Sequence, residues 1–409
     1  MAIAAPAVNA MSNESPWGIL TGVRPAKIVH RRLDQGEPSA DIQRFIQTRY
    51  GVSTEKAALL MEVALRNRSM VPTPENANQE SRSVSLYLGI PYCLSRCVYC
   101  SFPSALLPAD KEQIVCLLAA IGQDIQAVVK LLSVYGLTVR SLYIGGGTPT
   151  CLPEDLLERL LRWITSSFDI SALQEFTVEA GRPDSITATK LQMIKQAGAT
   201  RVSVNPQSMQ QRTLDRIGRN HSVEQIFSAF AMARATGFDQ INMDLIAGLP
   251  GETLADMQDS LAQVLALKPK NITVHTLALK RRAALYENAE SGDLPQSSEV
   301  QQMVESSAQS IREAGLLPYY LYRQKNSPGS QENVGYARPG AECIYNVDII
   351  EERRTILGMG PSATTKAVRP ADWRLDGCFF PKDIATYVRN IEELTFKREQ
   401  LIKNLFAAD

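Results

Sequence analysis

From Ser83 onward the chain alternates short β-branched or aromatic runs with longer helical patterns, and it does so six times. The runs lie at 84–90, 139–144, 175–180, 200–205, 240–246 and 271–276, and the helical patterns between them at 109–134, 153–167, 187–197, 222–236 and 253–267. Three of these helices open on a cap or first-turn signal: Pro153 with Glu154 and Asp155, Ser222, and Thr253. Strand–helix repetition of this kind is satisfied by a parallel sheet with crossover helices. Six units, where a closed barrel has eight, predict an α/β fold in the form of a partial (β/α)6 TIM-like barrel, open on one side.

The flanks differ in character. Residues 1–15 are rich in Ala, Asn and Ser, with neither a basic nor an apolar signal-peptide region, and read as a disordered lead-in. Three short helical patterns fill 16–70, and a Pro- and polar-rich linker spans 71–82. The barrel occupies 83–290. Beyond Leu279 the alternation ends, so 291–409 is expected to be an α+β extension packed on the barrel mouth. It holds a helical pattern at 298–314, a strand at 317–323, a Gly/Pro/Asn-rich stretch at 326–343 and helical residues at 383–405.

Charge balances at 43 Lys and Arg against 43 Asp and Glu, so no global field favours a nucleic acid or an anionic membrane as partner. The apolar stretch at 114–122 stops at Gln123-Asp124, short of the roughly 20 residues of a membrane span. Seven cysteines, three of them within eight residues, suit a cytoplasmic chain with a ligand cluster better than a secreted disulfide scaffold. With only three scattered histidines, a histidine-rich metal site is a poor fit.

Cys93, Cys97 and Cys100 follow the first strand with the spacing Cys-x3-Cys-x2-Cys. Three thiolates in one loop can hold three irons of a four-iron cluster and leave the fourth open to a small molecule. Structural zinc wants four ligands, usually as paired Cys-x2-Cys halves, and Cys116, Cys151, Cys343 and Cys378 are isolated from one another. Three buried free thiols are the plainer alternative. The second strand ends in Gly145-Gly146-Gly147-Thr148-Pro149-Thr150, whose glycines let backbone approach a ligand and offer free N–H and C=O groups. A plain tight turn would use the same residues.

Together these motifs resemble the radical S-adenosylmethionine (SAM) enzymes, and within them the oxygen-independent coproporphyrinogen III dehydrogenase group. The likeness continues through Val178-Glu179-Ala180, 205–209, 216–222 and 242–250. The flanks, with Trp17-Gly18-Ile19-Leu20-Thr21-Gly22 ahead of the barrel and 319–326 and 332–336 behind it, resemble the HemZ-type branch. Proteins of that branch generally begin further upstream than Met1. Gly89 stands where the group's dehydrogenases carry a histidine.

The resemblance implies a 4Fe-4S cluster on Cys93, Cys97 and Cys100, with SAM on the fourth iron and a 5′-deoxyadenosyl radical formed by its reductive cleavage. It implies one SAM or two. Tyr87, Gly146, Gly147, Thr148 and Glu179 match positions around the SAM amino group and cluster. Tyr99 matches a residue beside the adenine, and Gln207, Arg219, Asp244 and Ala278 match contacts to a second SAM; Thr364 is a weaker match. Physically, Arg219 can pair with a carboxylate, Glu179 with an ammonium and Asp244 with a ribose hydroxyl. The plainer readings are a surface helix for Arg219, an ion pair with Arg182 for Glu179, a loop cap for Asp244, and core packing for Tyr87 and Ala278.

The implied reaction is oxidative decarboxylation of coproporphyrinogen III to protoporphyrinogen IX, with a low-potential donor such as flavodoxin or ferredoxin as partner. The tetrapyrrole propionates need cations, for which Lys280, Arg281, Arg282, Arg323, Lys325 and Arg338 are candidates, while Tyr320, Tyr322 and Tyr336 could line the flat ligand. The alternatives are a heme-binding chaperone, whose His-Asn-x-x-Tyr-Trp motif is matched here only by Glu332-Asn333-Val334-Gly335-Tyr336-Ala337, a heme-directed radical SAM methyltransferase, or a ferredoxin-like electron carrier.

Overall fold

The computed structural model describes residues 15–280, 283–285, 294–325 and 327–406. The six runs form β1 (Ser83–Ile90), β2 (Thr138–Gly146), β3 (Glu175–Glu179), β4 (Arg201–Ser203), β5 (Gln240–Ala247) and β6 (Asn271–Thr276), paired in that order and all parallel. The intervening helices are Lys111–Tyr135, Glu154–Ser167, Ala188–Gln196, Val223–Ala235 and Leu254–Ala266, within one or two residues of their expected positions. Ser222 and Thr253 both cap as expected, in reciprocal capping boxes with Gln225 and Asp256.

Side chains alternate across a strand, and the two faces of this sheet differ in chemistry. Leu86, Leu88, Leu142, Ile144, Phe176, Val178, Val202, Met243 and Val274 are buried and form the apolar layer. The opposite face presents Tyr87, Tyr143, Glu179, Ser203, Asn242, Asp244, Thr273 and His275 to one cavity. The barrel interior is therefore a polar chamber.

The sheet does not stop at β6. Strands β7 (Leu317–Arg323), β8 (Glu332–Ala337), β9 (Ile356–Met359), β10 (Thr364–Val368) and β11 (Leu375–Phe379) extend it to eleven, in the order β11-β10-β9-β1-β2-β3-β4-β5-β6-β8-β7. The short β9 runs parallel to β1, so seven parallel strands replace the expected six. The Gly/Pro/Asn-rich stretch expected at 326–343 holds β8, a wholly buried strand that is antiparallel to both β6 and β7. Its polar residues are tolerated because each has a partner: Glu332 accepts from Trp17 Nε1 (2.8 Å) and Lys56 Nζ (2.7 Å), and Asn333 accepts from the Thr276 N–H (3.0 Å).

Three helices, α1 (Ala26–Asp34), α2 (Ser39–Tyr50) and α3 (Thr54–Asn67), precede the sheet. Asp34 ties them to the C-terminal half by pairing with Arg353 (2.5 Å), and also holds Arg68 at the end of α3 (2.6 Å), while Lys27 reaches Glu352 (2.7 Å). The stretch 71–82 contains a one-turn helix, Ala77–Glu80, whose Glu80 pairs with Arg354 at 2.7 Å. The helix Lys111–Tyr135 runs past Gln123-Asp124 and, with an 18-residue window of mean hydropathy 1.7, is long and apolar enough to cross a membrane. Half of its most apolar window is buried, and its Asp124 is fully buried against Arg398 of the helix Ile391–Phe406.

Candidate functional site

The cysteine loop leaves the C-terminal end of β1, where barrel active sites are built. Its two ends are fastened together, because Tyr92–Cys93 pairs in parallel with Ala105–Leu106. The β2 glycines explain how the neighbouring loop fits beneath it. Gly146 has φ +114°, and a Cβ on Gly147 would lie 2.4 Å from Tyr92 O and 2.9 Å from Cys93 Sγ. The N–H groups of Gly147 and Thr148 are not free, contrary to expectation: they donate to Ile90 O and Tyr92 O, both at 2.7 Å. The triple glycine is thus a close-packing device between the first two βα loops. Gly89 has a similar reason, since a Cβ there would sit 3.2 Å from Pro361 O and 3.3 Å from the Tyr87 ring.

Each of the three sulfurs has its own polar neighbour. Cys93 Sγ lies 3.6 Å from the Thr148 hydroxyl, and Arg182 Nη1 donates to Cys97 Sγ at 3.5 Å. Tyr99 also bonds Cys97 through its side chain. Burial pushes the Cys100 thiol above its usual range, against the opposing Phe102 N–H. Among the described residues no three His, Cys, Asp or Glu side chains are drawn together as around a bound metal ion. The three sulfurs nevertheless line one cavity and already carry hydrogen-bond donors, a donor set that fits a thiolate-ligated cluster.

That outer cavity, about 500 Å³, gathers Cys93, Cys97, Tyr99, Cys100, Gly147, Thr148, Glu179, Gln207, Arg219 and Ala278, with Lys280 at its mouth. An inner cavity of about 450 Å³ lies in the barrel and shares Glu179, Asn205, His275 and Tyr322 with the outer one. It adds Tyr87, Gly146, Asp244 and Tyr320. Apart from the weaker match Thr364, every residue singled out for the cluster or SAM therefore lines one chamber or the other.

Several plainer readings fall at the same time. Arg219 is 3 % exposed, donates to Gly181 O at 2.7 Å and keeps a buried Nε without a partner. Glu179 does not pair with Arg182: it accepts from the Tyr143 hydroxyl, while Arg182 is clamped by Asp184. Asp244 caps no loop; its carboxylate accepts from Asn242 at 2.7 Å and lies 3.6 Å from His275 Nε2. Gln207 adopts φ +68°, a conformation disfavoured for a non-glycine residue. Its own backbone holds it there, bonding Asp244 O at 2.8 Å and the Ile246 N–H at 2.9 Å, and its buried Oε1 has no partner. Unpartnered polar atoms of this kind are what a polar ligand would satisfy.

Other expected residues lie elsewhere. Arg323 is buried, donates to Leu20 O and Ser330 O and stacks on Trp17, so it fastens the N-terminal segment and lines neither cavity. Arg338 follows β8 at the end that pairs with the start of β6, opposite the cysteine loop. Tyr336 is packed core, Lys325 is exposed and lines neither cavity, and Thr364 opens the outlying β10. Arg281, Arg282 and Asn326 lie outside the described residues. The reading also missed His275, whose Nδ1 meets the Tyr322 hydroxyl at 3.0 Å, and Tyr143 and Tyr345, which stack at 4.4 Å. For His275 and Tyr143 the inward phase on their strands, shared with Tyr87 and Glu179, was the available signal; Tyr345 comes from the helix Ile344–Glu351, where no strand phase applies.

Burial lifts the Glu179 carboxyl to about 7; Tyr143 opposes, Asp244 adds to the rise, and the Gly146 N–H opposes. Burial would also raise Asp244, but His275 and Asn242 outweigh it and hold that group low. A carboxyl raised by folding binds its proton more tightly in the folded state, so its contribution to stability falls as pH rises from about 4.5 through 7. Glu179→Gln should therefore raise the melting temperature of the ligand-free protein more at pH 8 than at pH 5. Equal gains at both pH values would refute this.

Residues 87–264 match the model of the Radical SAM superfamily. The oxygen-independent coproporphyrinogen-III oxidase-like protein HemZ of Bacillus subtilis is 37% identical over 391 residues, covering 95% of this chain and 77% of its own. The heme chaperone HemW of the same species is 31% identical over 275 residues, 64% of this chain and 66% of its own. Coproporphyrinogen III oxidase (HemN) of Escherichia coli, a radical SAM enzyme, shares the fold at TM-score 0.62 with 23% identity, over 81% of this chain and 73% of its own. The chain belongs to the radical SAM superfamily, in the HemZ-type group of oxygen-independent coproporphyrinogen-III oxidase-like proteins.

Proposed function

We propose that this protein is a SAM-dependent radical oxidoreductase that decarboxylates the propionates of coproporphyrinogen III to give protoporphyrinogen IX. The observation that supports it most directly is the convergence of three cysteines, the glycine loop, Glu179 and Arg219 on one cavity. Cys93, Cys97 and Cys100 would hold a 4Fe-4S cluster. When bound, the cluster and SAM would supply the one-electron cleavage that starts removal of a hydrogen atom and carbon dioxide from each reacting propionate, with the remaining electron passing to an external one-electron acceptor.

The remaining work belongs to the chain's own groups. Glu179 accepts from the SAM ammonium, Arg219 donates to a carboxylate, Asp244 accepts from a ribose hydroxyl, and Tyr99 flanks the adenine. Gln207, Arg219, Asp244 and Ala278 are near enough to the shared wall to serve a second SAM. Among the described candidates Lys280 is the cation placed to meet a propionate, and Tyr320 and Tyr322 offer flat surface inside the barrel. A low-potential flavodoxin or ferredoxin would deliver the electron.

Heme carriage is the competing function, named for the HemW relatives. The stretch compared with their histidine motif, Glu332–Ala337, is buried in the sheet with Glu332 committed to Trp17 and Lys56. It has no side chain free to take heme iron, which favours the enzyme. The test is an anaerobic incubation of iron–sulfide-reconstituted protein with SAM, a low-potential reductant and coproporphyrinogen III, followed by mass spectrometry. Formation of 5′-deoxyadenosine together with a vinyl-bearing product is expected. 5′-Deoxyadenosine with untouched substrate would overturn the substrate, and neither product from cluster-loaded protein would favour the heme carrier.

A further inference from the structure

Arg182 was not among the residues expected at the site, and it is the side chain most deliberately held against it. The guanidinium is buried, at 4 % exposure, just beyond β3. Asp184 grips it bidentately, Nε to Oδ1 at 3.1 Å and Nη2 to Oδ2 at 2.9 Å. A fork clamped in this way has a fixed plane and one remaining nitrogen. That nitrogen, Nη1, faces the cysteine loop and donates to Ser95 O at 3.2 Å and to Cys97 Sγ at 3.5 Å. Cys97 thus receives a hydrogen bond from a charged group, whereas Cys93 faces the Thr148 hydroxyl and Cys100 a backbone amide.

We infer that Arg182, positioned by Asp184, raises the reduction potential of a cluster bound by Cys93, Cys97 and Cys100. The inference rests on the cluster reading above. Reduction adds one electron and one unit of negative charge to the cluster, and part of that charge resides on the ligating sulfurs. A donor aimed at one of them stabilises the reduced state more than the oxidised state. Because Asp184 neutralises the guanidinium at longer range, the effect is carried by the short N–H contact to sulfur. The same contact places the loop through Ser95, so Arg182 is a positioning residue that acts through Cys97.

The test is a redox titration of the reconstituted full-length protein without SAM, followed by electron paramagnetic resonance of the reduced cluster and by iron content. In Arg182→Gln the reduced-to-oxidised ratio at a fixed potential should fall about tenfold, equivalent to a downward shift of about 59 mV for a one-electron couple. A variant that loads iron at the wild-type level and titrates at the wild-type potential overturns the inference and leaves the cluster reading intact. If Arg182→Gln folds but holds no cluster, Arg182→Lys decides: it keeps a cation but loses the fork. A potential below wild type supports the inference, and an unchanged potential overturns it. Wild-type protein that takes up no iron removes the cluster reading and this inference with it.

Discussion

Cys97→Ala should leave a folded protein that retains little iron and forms at least about 100-fold less 5′-deoxyadenosine than wild type. That exceeds the 10–100-fold that loss of a supporting partner around a metal typically costs. The fold should survive because the loop is held by groups other than the thiol. Ser95 Oγ donates to Gly218 O at 2.9 Å, the Val98 N–H to Ile217 O at 3.1 Å, and the strand pair Tyr92–Cys93 with Ala105–Leu106 closes the base. Cys93→Ala and Cys100→Ala should behave alike, whereas Cys116→Ala, at an exposed helix position outside both cavities, should match wild type. Iron analysis with visible absorbance, beside a melting curve, separates loss of cluster from loss of fold. Full iron content in Cys97→Ala would sink the assignment of the three ligands.

What could be read in advance follows the range of the interactions involved. The six parallel strands and their helices were legible because hydrophobic period, caps and loop length are local properties. The cysteine and glycine motifs were legible for the same reason: each is a short stretch with one steric or ligating demand. Residues that depend on distant partners were not. Glu332 and Asn333 looked like loop polarity, and only Trp17, Lys56 and Thr276, all far away in sequence, make a buried strand of them. Arg323 looked like a free cation until Leu20 and Trp17 claimed it. The strand Ile356–Met359 is four residues long, too short for a periodicity to register. Arg182 reads in the sequence as a partner for Glu179, three residues before it, whereas its bond to Cys97 is a crossing between the loops after β1 and β3. The inward face of the barrel was the overlooked signal. A strand set whose alternate positions run Tyr87, Tyr143, Glu179, Asn242, Asp244 and His275 cannot fill a dry core, because that many buried polar groups would lack partners.

The second large effect is expected far from the cysteines, at Arg398. The helix Lys111–Tyr135 brings Asp124 to a site with no solvent contact, where Oδ1 pairs with Arg398 Nη1 at 2.6 Å. Asp124 Oδ2 accepts from the Tyr387 hydroxyl at 2.7 Å and the Gly360 N–H at 2.9 Å, and Arg398 Nη1 also donates to Gly358 O at 2.8 Å. Removing only the arginine strands a carboxylate in the interior, which typically destabilises by about 3–5 kcal/mol. Arg398→Met should therefore lower the denaturant midpoint strongly. Asp124→Leu combined with Arg398→Met should recover much of the loss, since paired charges replaced by apolar groups of similar volume are often neutral. Equal midpoints for wild type and Arg398→Met would show that the pair bears no load. The recovery would be incomplete for a local reason. Gly360 packs so tightly on β1 that a Cβ there would lie 2.3 Å from Gly89 O, and its N–H has Asp124 as acceptor. The leucine leaves that buried donor unsatisfied, at about 1–3 kcal/mol, beside the strand that delivers the cysteine loop. The double variant should thus hold its cluster less firmly than its overall stability alone would suggest, and iron retention on dilution is the measurement that separates the two.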